Sequence, residues 1–138
     1  MKLHMFEFIQ KIIDDATYMH GEAVIPAVIH LFMVNEHCYK LDEENSQRFH
    51  TIVAKLLFLS KRARPGILNV VAFLTTRVIS PDDDDWKKLV RTIEYLRHTR
   101  KMELTLSWDD SATIIILVDA VFAVHPNMRI HTCNMMTV

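Results

Sequence analysis

Glycine is almost missing from this chain: two residues in 138. A loop that cradles phosphate needs several, and neither G-x-x-x-x-G-K-[S/T] nor G-x-G-x-x-G occurs. The common nucleotide-binding loops are thereby excluded. No Ser nucleophile elbow occurs either. Cysteine is as scarce, with Cys38 and Cys133 alone. Two cysteines cannot build a disulfide framework, and a reducing compartment is expected. No apolar run approaches the ~18 residues of a membrane helix, the most apolar stretch being the strand-length 114–118. Acidic residues come too early in MKLHMFEFIQKIIDDA for a secretory signal. The expected location is intracellular, cytoplasmic or nuclear, with no membrane partner.

Half of the residues are hydrophobic and 24% are charged. That composition supports a buried core and opposes bulk disorder. The net charge of −1 hides an asymmetry. Residues 55–101 carry eleven Lys or Arg against five acids, a balance of +6, while both flanks are acidic. A basic centre fits a polyanion partner; it also fits solvated helix faces.

The hydrophobic pattern predicts four helices. Met5, Phe8, Ile9, Ile12 and Ile13 recur at helical spacing over 4–16. Residues 17–44, with Gly21 and Pro26, read as loop and short extended pieces ending in an acidic patch. A second helix is expected over 44–62, with Phe49, Ile52, Val53, Leu56, Leu57 and Ser60 in one stripe and Lys61 and Arg62 at its negative end. Pro65 and Gly66 interrupt it. A third helix resumes through Ile67, Val70, Val71, Leu74 and Val78, with Pro65 as its first residue. The fourth has Ser80 as N-cap, Pro81 in its first turn, Asp82 to Asp85 at its positive end and a stripe of Trp86, Leu89, Val90, Ile93 and Leu96. Arg97, His98, Arg100 and Lys101 cluster at its negative end.

The period then becomes two. Met102, Leu104, Leu106 and Trp108 alternate with polar residues and predict a strand. Asp109-Asp110-Ser111 and His125-Pro126-Asn127 read as turns. Residues 113–124 predict a buried strand, and 129–138 a strand pairing back onto it.

Three groups carry candidate chemistry. Asp119 is a carboxylate inside an apolar strand; on spacing alone it is a strand-end acid facing water. Lys61-Arg62-Ala63-Arg64 is a basic turn that also serves as a helix C-terminal charge cluster. His125, His131 and Cys133 lack the paired spacing of zinc sites, and His37-Cys38 is a weaker signal still. The aspartate run reads as a helix start and not as a metal site.

Three strings, VAKLLFLSKRARP, VAFLTTRV and DDDDWKKL, are followed by VDAVFAVHPNMRIHT. Together they resemble the polymerase polyprotein of copia-type LTR retrotransposons, from the end of the reverse transcriptase into the start of ribonuclease H. MFEFIQKII and HLFMVNE resemble the same family more loosely. Polyproteins of this family carry reverse transcriptase, ribonuclease H, protease and integrase activities.

The resemblance implies an α+β fold. A small helical, thumb-like bundle over 1–101 is followed over 102–138 by an incomplete antiparallel hairpin or sheet, the start of a ribonuclease H-like domain. It makes Asp119 the first ribonuclease H-type carboxylate. Magnesium, the family's cofactor, needs further carboxylates at such a site, so no cofactor is expected for this chain alone. The family's YVDD-type polymerase turn does not occur, and the chain is expected to be a catalytically inactive fragment. Two departures stand out: Cys133 replaces the family's Gly after His-Thr, and Gly66 replaces Asp after Pro.

A thumb packs against a nucleic-acid duplex. Lys61, Arg62, Arg64 and Arg77 are therefore the expected contacts to an RNA–DNA or DNA duplex, held weakly. Self-association through an exposed sheet edge is a further expectation. Two other readings are a domesticated protein-interaction module and a stand-alone nuclease centred on Asp119. The latter would need Asp109, Asp110 or other acids to converge on it.

Overall fold

A computed structural model describes residues 2–16, 20–27, 29–106, 115–121 and 131–137. The elements in chain order are β1 (Lys2–Leu3), α1 (Phe6–Asp15), α2 (Glu43–Ser60), a 3-10 turn (Pro65–Ile67), α3 (Leu68–Thr75), α4 (Asp83–His98), β2 (Leu104–Thr105), β3 (Ile115–Val121) and β4 (His131–Thr137). The fold is α+β, and the helices found among the described residues fall within or a residue beyond the spans expected to hold them. None is long and apolar enough to cross a membrane among the described residues.

One core unites the helices. Ile9 and Ile12 of α1, Phe49, Leu56 and Leu59 of α2, Val71, Phe73 and Leu74 of α3, and Leu89, Ile93 and Leu96 of α4 are all solvent-free. The i, i+3, i+4 spacing puts each set on one face, and burying those faces is the main stabilising term. α2 packs on α1 and α3, and α4 on α1 and α3.

The boundaries follow from local hydrogen bonds. α2 starts where Asp42 accepts from the Asn45 amide at 2.8 Å. α3 stops at Thr75, short of Val78. The Thr75 and Thr76 hydroxyls donate back to the Ala72 and Phe73 carbonyls, each at 2.7 Å, and the following amides turn to i−3 partners.

The start of α4 corrects the expected cap. Asp82, not Ser80, is the N-cap. Its carboxylate accepts from the Asp84 and Asp85 amides at 3.1 and 3.0 Å, and Asp85 reciprocates on the Asp82 amide at 3.1 Å. This is a capping box with aspartate in the usual glutamate position. Pro81 therefore precedes the helix, and its carbonyl accepts from Leu41 at 3.0 Å. Tyr39 accepts from the Asp83 amide at 3.0 Å, so the approaches to α2 and α4 are stapled together.

The strand expected from 102 to 108 shortens to β2, and its partner is β1, just ahead of the helix expected over 4–16. Trp108 and both expected turns, 109–111 and 125–127, lie outside the described residues. The expected hairpin forms its own two-stranded antiparallel sheet, with Asp119 opposite Cys133 and Val121 opposite His131.

Candidate nucleic-acid interface

The four expected cations of the helical region do not form one surface. Lys61 and Arg62 are exposed at the end of α2, and neither has an ion-pair partner among the described residues. The Arg62 guanidinium lies over the Phe58 ring, 3.7 Å from its centroid. The turn that follows α2 brings Arg62 back over Phe58, four residues earlier in the chain.

Arg64 is turned inward and only 4% exposed. One terminal nitrogen, Nη2, donates to the Thr99 and Arg100 carbonyls at 2.6 and 3.1 Å. The other, Nη1, is buried without a partner. Burial pushes the Arg64 pKa down, partly offset by the nearby Tyr95. A side chain so placed satisfies the carbonyls at the end of α4 and cannot also hold phosphate. Its expected role as a direct contact is corrected on that ground.

Arg77 is likewise committed. Its Nε reaches both Asp85 oxygens at 3.1 and 2.9 Å, and Nη2 reaches Asp82 at 3.0 Å. Asp82 and Asp85 are 2% and 1% exposed, so two buried carboxylates share this one guanidinium. Lys40 adds a more distant contact to Asp82, at 3.6 Å. Burial works against the charge of Arg77, but hydrogen bonds and attraction from Asp85 and Asp82 hold its pKa above the ordinary value. Burial also opposes ionisation of Asp82; the Asp85 amide, Arg77 and Lys40 prevail and lower its pKa. For Asp85 burial wins and raises it. The aspartate run is thus more than a set of charges on a helix dipole.

A feature not foreseen is what Arg64 joins. Its bonds bring the end of α4, with exposed Arg100 and Lys101, against the turn that carries Lys61 and Arg62. Two basic runs far apart in sequence become neighbours across a single buried guanidinium, whose bonds span 35 and 36 residues. Each run was visible in the sequence; their convergence depends on helix packing.

A cavity of about 730 Å³ lies elsewhere, between residues 26–35 and the outer face of α4. Leu31, Val34 and Val90 line it beside Lys87, Arg91 and Glu94. In the same segment Ile29 is 97% and Met33 64% exposed.

Asp119 is placed by backbone register alone, on β3 opposite Cys133. Among the described residues no three His, Cys, Asp or Glu converge as metal ligands. His125 lies outside the described residues, while His131 and Cys133 fall on β4. No family model, curated protein or solved structure matches the chain.

Proposed function

We propose that the helical region is a polyanion-binding part, and that the chain is a piece of a copia-type reverse transcriptase/ribonuclease H polyprotein with no catalysis of its own. The partner is an RNA–DNA or DNA duplex, held weakly through phosphate. In this reading β3 and β4 are the first strands of a ribonuclease H-like sheet, and Asp119 is one carboxylate of an incomplete site. The observation that carries the binding role is the Arg64 bridge. It brings the backbone at Thr99 and Arg100, where Arg100 and Lys101 are exposed, against the turn that carries Lys61 and Arg62, while taking its own charge out of play.

Fluorescence anisotropy with a labelled RNA–DNA hybrid tests this. Binding falls steeply as salt rises, because each neutralised phosphate releases counterions. Changing Lys61, Arg62, Arg100 and Lys101 together to Ala reduces the log–log salt slope by up to about 3.6 units and leaves the helical circular dichroism unchanged. A folded wild-type chain that does not bind the hybrid refutes the proposal.

The exposed Ile29 and Met33 beside the large cavity favour a second reading, a protein-interaction module. Binding of that kind is insensitive to salt.

A further inference from the structure

We propose that the Arg62 guanidinium, lying on the Phe58 ring, is a shelf on which one unpaired nucleobase stacks. The proposal rests on the polyanion reading above and specifies what the protein recognises beyond phosphate.

Phe58 faces away from the core stripe of α2. It is 41% exposed, whereas Phe49 and Phe73 are solvent-free. The Phe8 ring of α1 lies 5.2 Å away at 49° and backs it. The guanidinium is therefore supported by a ring that is itself held from a second helix. At 3.7 Å it lies at stacking distance on that ring. The Arg62 side chain has no ion pair or hydrogen bond to a described residue, so among these no acid draws it off the ring. One turn earlier on the helix, exposed Ala54 adds little bulk beside the ring.

The neighbouring charges define the ligand. Lys61 is exposed and unpaired among the described residues, next to the shelf, whereas Lys55 is taken by Asp15. A planar cationic surface with a free ammonium beside it matches a base and its adjoining phosphate. Every base has a π-face, so stacking tolerates sequence. A base inside a duplex is already stacked on its neighbours. An unpaired base, in a single strand or at an overhang, is the fitting ligand.

The test compares labelled oligodeoxyadenylate with an abasic oligomer of equal length, using the full chain. The shelf makes the base-bearing strand bind at least about fivefold tighter at the same charge. Arg62→Lys keeps the charge but loses the planar surface, and it erases that difference with the salt slope retained. Phe58→Leu keeps the apolar contact with Phe8 and does the same. Should Phe58→Leu fail to fold, Arg62→Lys decides the matter. Equal, salt-dependent binding of both oligomers overturns the shelf and leaves the polyanion reading standing. No binding of either oligomer, or of the hybrid duplex, overturns both.

Discussion

Three arginines show how much context decides a residue's work. Arg62 and Arg64 are two positions apart, yet one is exposed and the other buried against the end of α4. Arg64→Ala strands the Thr99 and Arg100 carbonyls and opens a cavity, so it lowers stability by about 2–4 kcal/mol in urea denaturation. Arg62→Ala removes one exposed cation–π contact and shifts stability by about 1 kcal/mol or less. Arg77→Ala leaves Asp82 and Asp85 buried without their cation and costs about 3–5 kcal/mol near neutrality. The pH dependence follows from the sign of each shift. The Asp82 pKa is lowered, so its contribution is present above the unfolded value of 3.8 and is lost as pH falls through the lower folded value. Asp85 is raised, so its folded form holds the proton more tightly, and acidification toward 3.8 favours folding at that group. Without Arg77 both acids titrate higher, and the deficit of Arg77→Ala shrinks between pH 7 and pH 4. Denaturation midpoints across that range check this; a deficit independent of pH means the pair is not what Arg77 stabilises. The basic turn was legible as a string of charges. Which cation stays outside was not, because that depends on carbonyls 35 and 36 residues away.

At the scale of elements, what could be read depended on how local the cause was. The core stripes of α1 and α4 follow from spacing, as does most of that of α2, although α2 fully buries Leu59 and leaves the expected Leu57 half-buried. The stop of α3 was not legible from apolar period, since two threonine hydroxyls end it before the apolar pattern does. The pairing of β1 with β2 joins residues a hundred positions apart, and no local pattern announces it. The α4 start lay between the two cases: Ser80-Pro81-Asp82 offers two capping residues. Asp82 prevails because it caps the helix and also pairs with Arg77. Asp82→Ala therefore loses a cap and half of an ion-pair network, about 2–4 kcal/mol. The exposed neighbour Asp83 contributes only its charge near the helix end, and Asp83→Ala costs about 0.5 kcal/mol. Thermal melts of the two variants distinguish this from Ser80 as the cap, in which case Ser80→Ala is the damaging change.

The whole molecule joins two unlike parts. The helical part has a solvent-free core running from Ile9 to Leu96. The β3–β4 sheet has two strands, and among the described residues neither is paired on its outer side. A hairpin alone is marginal in water, and an open strand edge invites another chain. A second copy of the chain can take that edge. Sedimentation velocity is therefore expected to show an average mass that rises with protein concentration. A variant lacking residues 107–138 keeps its helical circular dichroism and sediments as a monomer, because the helical core from Ile9 to Leu96 lies within the residues it retains. If the shortened variant associates as strongly as the full chain, the hairpin is not the contact. The exposed apolar segment around Ile29 and Met33 then becomes the surface that draws copies together.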